Sequence, residues 1–282
     1  MVNGEWARSA ILACVTLAAW GMFPRSAQTP EVSVRAVTAA AARYLAEYES
    51  QSNFLLADET YIQRVVDSAG REAARRTMIS ESFSTFVPSS RIWISMRDVI
   101  EVDGRPVEPR EDLRALLQNR DTPGAARSLA ERNARYNIGS ISRNFNEPTL
   151  GLLVFEPGRR PQFRFERRKV EADAGATLVT LAFKEVDTPT LIRAVDGQPV
   201  FSTGEVTVEA RTGRIRRTTI EMRHGPIVAV LTTDYALDPK LDMWVPAMFT
   251  ERYDQKKSPR QQILCEARYT NYRRFDVTSR IR

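Results

Sequence analysis

Asp98, Glu101 and Asp103 place three carboxylates around an Asp103-Gly104 turn, a grouping that could share a proton as an acid/base pair or hold calcium. A calcium loop needs more oxygen ligands at tighter spacing with a glycine inside it, and acidic residues are ordinary at turns and strand ends. A structural role therefore stands beside the chemical one. His224 is the only histidine and sits against Gly225-Pro226, where a turn residue and a general base are both open readings. With one histidine, and Cys265 as the one cysteine outside the first thirty residues, a tetrahedral zinc site cannot be built from such ligands. Gly139-Ser140-Ile141-Ser142-Arg143 lacks the second glycine of a nucleophile elbow, and no glycine-rich phosphate loop occurs. No catalytic residue, metal or cofactor is assigned, and a carboxylate-dependent hydrolase has only Asp98, Glu101 and Asp103 to work with.

A second group carries recognition chemistry rather than reactivity. Trp244, Phe249, Tyr253, Tyr269, Tyr272 and Phe275 fall on late extended segments, where large aromatics either fill a core or line a cavity. In the second case the aromatics receive an apolar ligand, and Arg252, Arg268 or Arg273 meets a polar head group at the rim. Cys265 alternates in phase with Ile263, Ala267 and Tyr269, as a small buried hydrophobe does.

Such groups need elements to hold them. Val34, Val37, Ala41, Tyr44, Leu45 and Tyr48 follow the spacing of one helical face. Strands are expected over Leu55 to Val66, Thr77 to Val87 and Arg91 to Val102, with a loop or hairpin tip over Asp67 to Arg76. Pro109 with Leu113, Leu116 and Leu117 marks a short helix, Thr122-Pro123 starts another that runs to about Tyr136, and Leu150 to Phe155 is expected to be helical. From Pro161 the chain reads as an antiparallel meander, with segments near 162–170, 177–185, 204–210, 214–222, 227–235, 244–253 and 261–275. The expected fold is α+β: a curved antiparallel sheet packed on an N-terminal helix, with a helical insert.

Residues 1–27 read as a signal peptide. Arg8 precedes an apolar run from Ala10 to Phe23, too short to span a bilayer comfortably, and Ser26-Ala27 offers a cleavage site; an uncleaved anchor is the alternative. The remainder divides into 28–160, with helix, strands and insert, and 161–282, the meander. Two basic residues and one acidic residue leave with the leader, so +5 remains of a net charge of +6. Basic bunches at Arg159-Arg160, Arg167-Arg168-Lys169 and Arg216-Arg217 alternate with apolar residues, as on a solvated strand face. Nucleic acid is not expected as a partner, and an anionic membrane surface is.

The meander, the turn Ala210-Arg211-Thr212-Gly213-Arg214 and Trp244-Val245-Pro246-Ala247-Met248 resemble the periplasmic lipoprotein-sorting carriers and related lipid-binding half-barrels, over about residues 161 to 277. That resemblance implies a sheet wrapped round a helix, here Val34 to Tyr48, shielding an acyl chain. Around Asp98 to Val107 and Ala134 to Gly139 the whole chain also resembles secreted proteins of environmental bacteria, which brings no activity with it. The expectation is a monomeric, exported envelope protein. It binds a lipid or an acylated protein without covalent chemistry; the alternatives are an envelope module holding an anionic partner, and the hydrolase.

Overall fold

A computed structural model describes residues 32–87, 91–108, 122–141, 143, 147–194, 196–255 and 261–274. The leader, the helix expected near Leu113, Ser142, the 256–260 part of the late turn and Phe275 lie outside the described residues. Helix α1 (Val34–Gln51) is alanine-rich, which favours helix, and buries Val37, Ala41, Leu45 and Tyr48 along one stripe. It stops at Ser52, whose backbone N–H donates to the Tyr48 carbonyl.

Strands β1 (Leu55–Val66), β2 (Glu72–Val87), β3 (Ile92–Val102) and β4 (Arg105–Pro106) come next, then α2 (Thr122–Asn133) and short 3-10 turns at Ala134–Tyr136, Leu150–Phe155 and Arg160–Gln162. The meander is β5 (Phe163–Asp173), β6 (Ala176–Glu185), a small hairpin of β7 (Ile192–Arg193) and β8 (Pro199–Val200), and then β9 (Ser202–Glu209), β10 (Ile215–His224), β11 (Ile227–Asp238), β12 (Met243–Gln255) and β13 (Gln261–Arg274). Among the described residues eleven strands form one antiparallel sheet in the order β4-β3-β2-β1-β13-β12-β11-β10-β9-β6-β5, so early strands join the meander where β1 pairs with β13.

The sheet curves, and α1 shows why it must. Tyr48 packs on Trp93 of β3 at 5.5 Å between ring centroids, while Gly213 in the β9–β10 turn abuts the backbone of Ala40. In a flat sheet β3 and β9, seven steps apart, would lie about 34 Å from each other. Ala40 and Tyr48 are only about 12 Å apart along the helix. Both strands reach the same short stretch of helix because the sheet bends round it. Gly213 suits its place twice over: its φ of +77° is in the left-handed region, and any Cβ would collide with Ala40.

The inner face also receives the Leu150–Phe155 turn, whose Leu152, Leu153, Val154 and Phe155 are buried. Helix α2 lies on the opposite face, where Leu129 packs with Leu56, Phe83, Ile94 and Met96. The expected architecture is therefore present: an α+β fold with a curved antiparallel sheet.

Local expectations differ in three places. The β1–β2 connection is a hairpin tip, one of the two forms expected, but shorter than the stretch Asp67 to Arg76. Asp67 Oδ1 accepts from the backbone N–H of Ala69 and Arg71, and the charged residues from Glu72 onward are an exposed strand end rather than a loop. Leu150–Phe155 is helical but wound as 3-10, a form that suits six residues better than a full α-helix. The two-residue strands β7 and β8 are too short to leave any alternation in the sequence. No helix among the described residues is long and apolar enough to cross a membrane.

Candidate functional site

Alternation along each strand assigns every second residue to the inner face, and register aligns these residues into rows across the sheet. One row runs Phe183, Gly204, Ile220, Leu231, Glu251, Cys265, Gln63, Arg76, each residue directly opposite the next. Its first half is apolar and its second half polar, yet Leu231, Glu251, Cys265 and Gln63 are all buried. Beside it Phe249, Ala267, Tyr61 and Met78 form part of the adjoining row.

On the polar half the side chains bond to one another. The Arg97 guanidinium grips Glu59 with two donors, Nε to Oε2 at 2.5 Å and Nη2 to Oε1 at 2.8 Å, and lies 4.0 Å above the Tyr61 ring. Tyr61 donates its hydroxyl to Glu251 Oε1 at 2.8 Å, and Tyr253 donates to Oε2 of the same carboxylate. Gln63 Nε2 donates to the Tyr136 carbonyl at 3.1 Å, while its Oε1 accepts from Arg143 Nη2 and from the Ile138 backbone N–H. Arg143 also donates Nη1 to the Ile138 carbonyl at 2.9 Å, and its buried Nε has no partner among the described residues.

The segment carrying Tyr136, Ile138 and Arg143 thus closes over this half. It is pinned further by Ser140, whose hydroxyl lies 2.8 Å from side-chain oxygens of Gln255 and Gln261, and by Gly139, where a Cβ would meet Ile263 at 2.6 Å.

Electrostatics follow from burial. Removal from water raises the Glu251 carboxyl above its ordinary range; hydrogen bonds from Tyr253 and Tyr61 and the charges of Arg97 and Arg143 oppose that rise. Burial with the Glu251 charge nearby pushes the Cys265 thiol up to about 11, so it is a poor thiolate source. Burial works against the Arg97 charge, but Glu59 more than offsets it and its pKa lies well above the usual value. Two carboxylates and two guanidiniums balance inside an apolar cradle. Such a network fixes the orientation of its members. A core made only for stability would be as stable with apolar residues there.

The aromatic candidates distribute unevenly. Phe249, Tyr253 and Tyr269 are buried on the inner face, Tyr272 donates its hydroxyl to the Pro246 carbonyl at 2.7 Å, and Trp244 is half-buried beneath the Arg216 guanidinium, 3.8 Å from its ring centroid. Arg252 and Arg268 are exposed on the outer face, paired with Asp254 at 3.1 Å and Glu266 at 2.8 Å. Arg273 bridges Asp58 and Glu81. Asp98 is buried in register with Glu81, whereas the Asp103 carboxylate accepts from the Thr77 backbone N–H at 2.8 Å and pairs with Arg76; Glu101 lies opposite Ile79. Asp98 and Asp103 therefore serve different neighbours. His224 is exposed at the β10–β11 turn. Among the described residues no cluster of His, Cys, Asp and Glu could hold a metal ion.

Glu59, Gln63 and Glu251 escaped sequence reasoning although a signal existed, since each is a polar residue in phase with buried neighbours: Tyr61 and Val65, or Phe249 and Tyr253. Arg97 gave the same signal, in phase with Trp93 and Val99, whereas Arg143 gave none that periodicity could supply.

No family model matches the chain, and no curated protein matches it. Solved structures do resemble it. An outer membrane lipoprotein-sorting protein domain from Vibrio parahaemolyticus aligns over 84% of this chain and 92% of its own, at 11% identity and a TM-score of 0.40. A DUF1329 family protein from Desulfovibrio piger aligns over 88% and 95%, at 11% identity and 0.42. An S-type phycobiliprotein lyase from Guillardia theta aligns over 83% and 96%, at 8% identity and 0.28.

Proposed function

We propose that the protein is an exported envelope protein that binds an amphiphilic ligand, a lipid or the acyl chain of an acylated protein, on the inner face of its sheet and does no covalent chemistry on it. One observation carries the reading: a single row passes from the buried Phe183, Ile220 and Leu231 through the buried Glu251 and Gln63 to the half-exposed Arg76. An apolar tail suits the first part and a polar head the second, and buried charges at that junction exceed what packing requires. The sequence reading of residues 1–27 as a signal supports an envelope setting for such a ligand.

Protein exported to a bacterial periplasm and purified without detergent is expected to carry a lipid-sized added mass in native mass spectrometry, and to bind a fluorescent fatty acid saturably. A clean apo mass together with linear, unsaturable uptake would leave the inner face as core and end the proposal.

A further inference from the structure

Several exposed arginines on this sheet are paired locally: Arg168, Arg223 and Arg268 each with a glutamate two residues away, Glu166, Glu221 and Glu266, and Arg252 with Asp254. Arg105 and Arg135 are not. Both are exposed, and neither has a carboxylate partner among the described residues. They line one concavity of about 630 Å³ together with Arg76, Asp103, Glu108 and Tyr136.

Two acids, Asp103 and Glu108, stand there against three arginines, and one of the two is already engaged. Asp103 spends one oxygen on the Thr77 backbone N–H and the other on Arg76, whose Nη1 also donates to the Tyr136 carbonyl at 3.0 Å. Arg135 is held over the Tyr136 ring at 4.7 Å and donates to the hydroxyl of that tyrosine at 2.6 Å, contacts that orient a guanidinium without cancelling its charge. Two oriented guanidiniums, Arg76 and Arg135, beside a third at Arg105, form the planar donor set that recognition of an oxyanion uses. Arg76 continues the inner row beyond Gln63, so the concavity lies where the polar half of that row reaches the surface.

We propose that this concavity seats an anionic oxygen group, phosphate or carboxylate. The seat shares Arg76 with the inner row, while the arginines varied in its test, Arg105 and Arg135, lie outside that row.

Calorimetric titration of the full chain with inorganic pyrophosphate is expected to give saturable binding that weakens about tenfold in R105Q/R135Q. The control R168Q/R223Q removes the same charge elsewhere and is expected to bind as the parent does. Co-sedimentation with phosphatidylglycerol and with phosphatidylcholine vesicles separates sources. Arginine-dependent capture by the anionic vesicles makes the seat one for a lipid head group. Pyrophosphate binding without vesicle capture makes it one for a soluble anion. Binding of neither probe, or equal weakening in both variants, overturns the proposal. R105Q alone, on a two-residue exposed strand, serves as the single test if the double variant loses its melting transition. Fatty-acid binding measured on the same variants keeps the two sites apart, because the inner-face reading can fail while pyrophosphate still binds.

Discussion

The two halves of the inner face are equally buried and built on the same alternation, yet they are closed by different means. Over β6, β9, β10 and β11 the cover is regular and apolar: α1 lays down Val37, Ala41 and Leu45, and the 3-10 turn packs Gly151 against Thr218, where a Cβ would come within 2.6 Å. Over β12, β13, β1 and β2 the cover is an irregular segment tied by side-chain hydrogen bonds to Gln63, Gln255 and Gln261. Apolar contacts are additive and forgiving of direction. A charge network holds only as a set, because each member left without its partner bears its full desolvation cost.

The sharpest break between the halves is expected at Arg97. Arg97→Ala strands the buried Glu59 carboxylate and should cost about 3–5 kcal/mol in denaturant unfolding, while Glu59→Leu with Arg97→Leu should recover most of that loss. On the apolar half Leu181→Ala should cost a similar amount, about 2–5 kcal/mol, and no second truncation should rescue it. If the double variant is as unstable as Arg97→Ala, the halves are held in the same way and the contrast is lost.

An intermediate effect should appear with pH. The Glu251 carboxyl is raised by burial above its ordinary value of 4.5, so between 4.5 and its folded value the native chain holds a proton that the unfolded chain has released. That contribution to stability is complete below 4.5 and is lost as pH rises through the folded value. Glu147 and Glu49, also raised by burial, act in the same direction. Glu251→Gln should therefore flatten the fall in melting temperature between acid and neutral pH. A slope equal to that of the parent would assign the effect to Glu147 and Glu49 instead.

What the sequence disclosed follows the same division. Strands and turns of the meander were legible because alternation and turn residues such as Ala174-Gly175 and Thr212-Gly213 are local signals. The apolar half could be inferred from them, as could the stripe of α1. The charged half depends on partners far apart in the chain, Glu59 with Arg97 and Tyr61 with Glu251, and no period of 2 or 3.6 records such a pairing. Arg143 is further out of reach, since it sits in a segment without regular structure. The aromatics Tyr253 and Tyr269 stand out as bulky residues on strands, whereas nothing in the sequence singles out Glu251, the carboxylate that Tyr253 binds.

The smallest effect is expected on the outer face, and it bears on how far the inner-face contrast extends. Arg252 and Arg268 alternate away from Tyr253 and Tyr269 and form short-range pairs in water, so Arg252→Ala and Arg268→Ala should each change stability by less than about 0.5 kcal/mol. Their charges lie on the solvent side of the same strands that carry Glu251 and Cys265 inward. If fatty-acid binding persists in both variants, recognition belongs to the inner face, where register joins Glu251 and Gln63 to the apolar row. If binding falls while stability holds, the ligand's head group reaches across a strand edge to the outer arginines, and the division between the two faces is less complete than their burial suggests.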